Sequence, residues 1–243
     1  MSPDTPPILN VAKLVKRFGG FYALDGLSFH VASGEILGLV GPNGSGKTTA
    51  INVICGLYAP DGGEVTLDGA SIGGVASHRL VHRGINRTFQ VPKPFLSLTV
   101  RENIAVALAY GRAAVAPPTM SELLAEYRLA EVADRPAADL NSVQQKMLDL
   151  VRALATRPRL LLLDELAAGL NPAELDWIAG RIKALAANDM AIIVVEHLMG
   201  FIEQITDRVI VLNAGKEIFE GKLAAAVREP QVIEVFLGGE HVA

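Results

Sequence analysis

Gly41-Pro42-Asn43-Gly44-Ser45-Gly46-Lys47-Thr48 places glycines at its first, fourth and sixth positions, then a lysine and a hydroxyl. This is the G-x-x-x-x-G-K-[ST] spacing of a phosphate-binding loop. Glycines let the backbone curl so that its N–H groups face an anion. A following helix adds the positive end of its dipole. Lys47 has the reach for β- and γ-phosphates, and the Thr48 hydroxyl can ligate Mg²⁺. Chance alone yields the pattern in roughly one chain of this length in a hundred. A second group is Asp164-Glu165, which closes the apolar run Leu160–Leu163. A buried parallel strand would deliver both carboxylates at its C-terminal end, where open α/β sheets bind ligands. Asp164 suits a magnesium ion, and Glu165 suits a water to be oriented and deprotonated.

The elements that must position these residues are legible in the periodicity. Ile8–Val15 and Leu24–Val31 read as strands joined through Gly19-Gly20. Glu35–Val40 reads as a strand running into the glycine-rich loop. Gly44–Leu57 reads as a helix with Ile51, Ile54, Cys55 and Leu57 on one face. Asp61-Gly62-Gly63 signals a turn before a strand at Glu64–Leu67. Leu98–Leu140 turns helical and Ala-rich, with a break at Pro117-Pro118. Gln144–Ala155 is an amphipathic helix whose apolar face holds Met147, Leu148, Val151 and Leu154. Apolar strands at Leu160–Leu163, Ala191–Val195 and Val209–Leu212 alternate with helices at Pro172–Ala187 and His197–Ile205. Continuous apolar strands between helices mean a parallel sheet covered on both faces. The expected fold is α/β: a P-loop NTPase core with an N-terminal antiparallel β subdomain and an inserted helical subdomain.

Composition narrows the class. The chain has 243 residues, enough to bury one large core without disulfides. Half its residues are apolar and 20% charged, an ordinary globular balance. The net charge of −4 and the lack of any Lys/Arg run argue against a nucleic-acid partner. Mean hydropathy is +0.33, but the most apolar stretch, Ile104–Pro118, is interrupted by Gly111 and Arg112 and is too short to span a bilayer. The single cysteine, Cys55, excludes an internal disulfide framework. Residues 1–7 lack a signal-peptide pattern and read as a disordered tail, which implies a cytoplasmic chain. His30, His78, His82 and His241 form no metal pattern and read as surface residues, and Trp177 reads as packing.

Taken together, these motifs resemble the ATP-binding subunit of an ABC transporter, over Leu9 to Gly238. The resemblance makes residues 8–238 the ATP-binding domain, with a helical insert at about 97–143 and a C-terminal tail at 239–243. It implies ATP and Mg²⁺ as ligands. Gln90, in Arg87-Thr88-Phe89-Gln90, falls at the Q-loop, where it would reach magnesium and the attacking water. His197, after Glu196, falls at the switch histidine that senses the γ-phosphate. Ala168-Gly169-Leu170-Asn171 falls at the D-loop, and Phe18 falls where an aromatic ring meets adenine. Thr49 joins Lys47 and Thr48 in holding phosphate and magnesium, and Glu165 becomes the general base. Arg87–Gln90, the run Ala167–Pro172 and the ending Val232–Gly238 are similar to the ATPases of branched-chain amino acid importers. The lipopolysaccharide-exporter ATPase shares the length and the Leu-Gly ending and fits Arg87–Gln90 less well.

One motif departs from the family. Where it reads Leu-Ser-Gly-Gly-Gln, this chain has Leu140-Asn141-Ser142-Val143-Gln144. In the family this segment caps the nucleotide held by the partner subunit, so Asn141 and Ser142 become cofactor-binding residues across a dimer. Val143 adds bulk where glycine permits close approach. Leu166 replaces a usual proline and Leu198 a usual Asp. The segment from Gln90 to Leu140, where transmembrane partners dock in the family, is shorter than the branched-chain group implies and leaves the solute open. A degraded signature beside an otherwise intact site favours a heterodimer with a second ATPase over a homodimer, both acting on integral membrane permease subunits at the inner face of the membrane. Two rival classes fit less well. A GTPase needs an Asn-Lys-x-Asp element, which is absent, and a kinase needs a lid that residues 98–140 only imitate. A non-transport ABC ATPase is usually tandem or basic.

Overall fold

The computed structural model of the chain describes residues 7–112 and 118–237. Most of the expected N-terminal tail, Pro117, Gly238, the 239–243 tail and His241 lie outside them. Strands β1 (Leu9–Phe18) and β2 (Phe21–Val31) form an antiparallel hairpin, in register from Leu9↔Val31 to Phe18↔Phe21. β3 (Ile36–Val40) leads through the glycine-rich loop into α1 (Lys47–Ile54). β4 (Gly62–Leu67) and the short β5 (Ala70–Ser71) complete an antiparallel sheet of order β2-β1-β4-β5. α2 (Ser77–Arg83) and β6 (Ile85–Arg87) follow. α3 (Val100–Ala109), α4 (Met120–Glu126) and α5 (Ser142–Ala155) make the helical part. β7 (Leu160–Asp164), α6 (Pro172–Ala187), β8 (Ala191–Val195), α7 (Met199–Ile205) and β9 (Arg208–Asn213) alternate as the periodicity requires. β10 (Lys216–Gly221), α8 (Leu223–Ala226) and α9 (Pro230–Leu237) close the described chain.

The second sheet has the order β10-β9-β3-β8-β7-β6. All its pairings are parallel except β9–β10. Every residue of β3, β7 and β8 is buried, because both sheet faces are covered. Alternate side chains go opposite ways. Leu161, Leu163, Ile192 and Val194 enter the core beneath the helices. Leu160, Leu162, Ile193 and Val195 enter the core shared with α1 and the antiparallel sheet. A third, smaller cluster packs Val40, Ile202, Val209 and Val211 against Leu223, Ala226 and Val232.

Several expectations need correction. α1 ends at Ile54, so Leu57 lies beyond its apolar face and is 48% exposed. α7 starts at Met199, which puts His197 in the loop after β8. The region 98–140 is broken into α3, α4 and two short 3₁₀ turns, with a bridge pairing Thr99 to Pro136. β6 and β10 escaped the sequence reading because each is short or polar. β6 has three residues, and β10, at the sheet's edge, holds three charged residues and a glycine beside only two apolar ones. Ser142 and Val143 open α5 and have no positive φ, so the backbone there needs no glycine. The segment still differs in its side chains, with Asn141 in place of serine and the bulk of Val143 in place of glycine.

Candidate active site

Parallel strands end on the same edge of a sheet, and four of them deliver the site. β3 ends at Val40 and passes into residues 41–46. β7 ends at Asp164, β8 is followed by Glu196 and His197, and β6 is followed by Thr88, Phe89 and Gln90. Two glycines are required sterically in the first loop. A Cβ on Gly41 would lie 2.2 Å from the Leu212 carbonyl oxygen, and one on Gly46 would lie 2.6 Å from that of Ala23. Gly46 also caps α1 with left-handed backbone and no side-chain cap bond, whereas α3, α4, α5 and α6 carry complete capping boxes. The first N–H groups of α1 therefore remain available to an anion.

A cavity of about 360 Å³ opens over this helix end. Asn43–Thr49 form its floor, with Phe18, Phe21, Glu165 and His197 among its walls. The buried Lys47 ammonium donates to Gly41 O at 2.8 Å and Pro42 O at 2.9 Å, which leaves its third proton free for another acceptor. Burial pushes its pKa down, while Glu165 and Asp164 oppose that shift. Ser45 Oγ is buried in the loop without a hydrogen-bond partner. Pro42 thus touches the site through its carbonyl, and Thr48 and Thr49 line it directly.

Glu165 joins two other sequence-derived residues, His197 and Gln90. Its Oε1 lies 3.2 Å from His197 Nε2, and its Oε2 accepts from Gln90 Nε2 at 2.9 Å. The carboxylate plane is therefore set from both sides. Asp164 is buried behind it and pairs with Arg87 Nη2 at 2.9 Å, and its N–H donates to Thr88 Oγ1. Burial pushes the Asp164 carboxyl up, against the pull of Arg87. Phe18 stacks edge-on with Tyr58, 5.2 Å between centroids. Asn141 and Ser142 are exposed and are not among the residues around this cavity. Asn141 and Val143 line a separate hollow with Met147 and Trp177, and Trp177 packs edge-on against Tyr127.

Sequence reasoning missed four residues. Arg87 was used only as a motif marker, although an arginine at the end of a buried strand must find an anion. Phe21 lines the cavity opposite a loop that the periodicity could not fold over it. Lys146 and Glu196 are 8% and 2% exposed and flank the Glu165 loop. Lys146 shares its helix face with Leu150 and Ala153, four and seven residues on, a signal that this cation is buried.

Residues 24–168 match the family described as ABC transporter. The chain is 36% identical over 250 residues to the high-affinity branched-chain amino acid transport ATP-binding protein BraF of Pseudomonas aeruginosa, covering 96% of this chain and 98% of that one. Among solved structures, the ADP conformation of an ATP-binding cassette of an ABC transporter gives a TM-score of 0.84 at 32% identity, covering 96% of this chain and 100% of that one. A dimeric post-hydrolysis cassette bound to ADP and Pi gives 0.80 at 26% identity, covering 88% of this chain and 98% of that one. With the loop, the strand-end carboxylates and this likeness over almost the whole chain, the protein belongs to the ABC transporter family as one of its ATP-hydrolysing cassettes.

Proposed function

We propose that this cassette hydrolyses Mg-ATP to power the import of branched-chain amino acids through an integral membrane permease, as a peripheral subunit on the cytoplasmic face and in a heterodimer with a second ATPase. The observation that carries the reading is Glu165, held at the cavity wall by both Gln90 and His197. The name of the P. aeruginosa relative supports the solute. No helix among the described residues is long and apolar enough to cross a membrane.

The geometry supports the following roles. The backbone N–H groups of residues 43–49 and the free proton of Lys47 bind the phosphates. Phe18 and Phe21 bracket the base. Thr48, Asp164 and Gln90 offer hard oxygen donors, the chemistry magnesium takes. Among the described residues no cluster of three His, Cys, Asp or Glu side chains could hold a metal, so such an ion would rest on these few oxygens plus phosphate. Bound there, it would neutralise phosphate charge. Glu165 accepts the proton of the attacking water, and Gln90 and His197 hold the carboxylate to that task. Asn141 and Ser142 face the nucleotide of the second ATPase. The permease docks in the groove between β6 and the helical part, lined by Phe89, Phe95, Val106, Tyr110 and Arg152. Phe95 and Tyr110 are largely exposed there, as an unfilled interface requires.

The test is hydrolysis and transport in vesicles carrying the permease and both ATPases. Lys47→Ala should abolish ATP hydrolysis and leucine uptake. Glu165→Gln should retain ATP while slowing turnover by about a hundredfold or more. Wild-type turnover in either variant overturns the assignment of roles. ATP hydrolysis that is indifferent to every branched-chain amino acid and its binding protein overturns the solute.

A further inference from the structure

The loop that carries Glu165 is held from two sides by a buried cation and a buried anion. Lys146 Nζ, on α5, donates to Glu165 O at 2.9 Å, Leu166 O at 3.3 Å and Ala168 O at 2.6 Å. All three protons of one ammonium are thereby spent on carbonyls of one four-residue stretch, 165–168. On the other side, Glu196 Oε1 accepts from Ala167 N at 2.6 Å and its Oε2 from His197 N at 3.3 Å. Glu165 itself stands at φ 51°, a left-handed conformation that disfavours a side chain, and its N–H donates to Val195 O at 2.9 Å. A strained backbone persists only where its surroundings over-determine it. Here the surroundings are Lys146, Glu196 and β8.

Lys146 stands one turn into α5, whose start is equally fixed. Asn141 Oδ1 accepts from Gln144 N at 2.8 Å, and Gln144 Oε1 accepts from Asn141 N at 3.1 Å. Gln145 Nε2 adds a bond to Leu140 O at 3.1 Å. Residues 141–143, of which Asn141 and Ser142 are exposed, and the Glu165 loop are therefore connected through one helix turn and one side chain.

We propose that Lys146 is a positioning residue for Glu165, gripping the backbone of residues 165–168 so that the start of α5 and the catalytic loop move as one body. The inference rests on Glu165 acting as the base toward water at the nucleotide. A shift of α5, such as seating a second ATPase against residues 141–143 would cause, moves three carbonyls of the Glu165 loop with it. Lys146 touches neither nucleotide nor water in this scheme, so removing it should change turnover and leave ATP affinity alone.

The experiment compares the full-length wild type with Lys146→Met and Lys146→Arg for kcat, for affinity toward a non-hydrolysable ATP analogue and for the melting temperature. The Met variant should lose about tenfold or more in kcat while analogue affinity stays within about twofold. The Arg variant, whose several N–H donors can still span the carbonyls, should recover most of the lost kcat. Should the Met variant fail to fold, Lys146→Gln, which keeps a donor but reaches fewer oxygens, is measured in the same way. A wild-type kcat in the Met or Gln variant, a loss of affinity that matches the loss of kcat, or an Arg variant as slow as Met overturns the proposal. A wild type that hydrolyses no ATP overturns the role of Glu165 instead.

Discussion

Arg87 shows what one buried charge does to its neighbourhood. Its guanidinium pairs with Asp164 at 2.9 Å, with the two side chains 8% and 4% exposed. It also donates to Thr88 O and to Asn52 Oδ1, so β6, α1 and β7 meet on one side chain. Replacing it with Met leaves a buried carboxylate unpaired, which should cost about 3 kcal/mol of stability. Urea unfolding checks this, and an unchanged midpoint would mean that the pair contributes nothing net. Cys55 lies close by, buried, and burial pushes its thiol up to about 12. A thiol needs its thiolate to react. The native chain should therefore resist a disulfide reagent at neutral pH and react fully once unfolded in guanidinium. Rapid modification of the native protein would contradict the packing around Cys55.

At the scale of elements, the contrast between α1 and α5 is informative. α1 begins without a side-chain cap, under the cavity, while α5 begins with Asn141 and Gln144 bonded reciprocally. Asn141→Ala should destabilise the chain by about 1 kcal/mol, and Asn141→Ser should be close to neutral in thermal unfolding. A loss of the same size in both would show that the side chain serves more than the cap. Glu196 follows β8, and burial pushes its carboxyl up, against the bonds from Ala167 and His197 and the nearby Lys146. The native state thus holds this proton more tightly than the unfolded chain does. Its contribution to stability is full below the ordinary glutamate range and falls as pH rises through the raised value. Glu196→Gln removes the titration. The stability of wild type minus that of the variant should decline with pH above about 4.5, by no more than about 1.4 kcal/mol per pH unit. A difference that rises with pH over this window would reverse the sign assigned to Glu196.

For the whole molecule, the open question is what completes the site. Phosphate loop, Asp164, Glu165, Gln90 and His197 converge at one sheet edge, while Asn141 and Ser142 stand apart from that cavity. The structure removes one objection to Val143, since it sits in ordinary helical backbone, and leaves the volume of its side chain. In a homodimer both nucleotides would meet this altered segment; with a different partner, one would not. The purified chain alone should hydrolyse ATP more slowly than its Ser142→Gly/Val143→Gly form, by up to the ~3 kcal/mol that one lost phosphate donor is worth. Equal rates, with the wild type dimerising by itself, would end the case for unequal sites.

The phosphate loop and the strand-end carboxylates were legible because their signals are local. Eight consecutive residues at 41–48 specify a backbone shape, and an apolar strand ending in Asp164-Glu165 specifies a sheet edge. Apolar runs of strand length were likewise enough to identify β3, β7, β8 and β9 as strands of one parallel sheet, since only a doubly covered sheet buries them all, whereas their order in it came from the folded chain. What required the folded chain were the bonds between segments far apart in sequence. Arg87 meets Asp164 from 77 residues away, Gln90 meets Glu165 from 75, and Lys146 reaches Ala168 across 22. No periodicity encodes such a distance. The short β6 and the edge strand β10 were missed for a related reason: tertiary pairing outweighs the weak local preference of a brief or polar segment. Which cations are buried, and what each one grips, was decided only when the strands came together and excluded the water that would otherwise have solvated them.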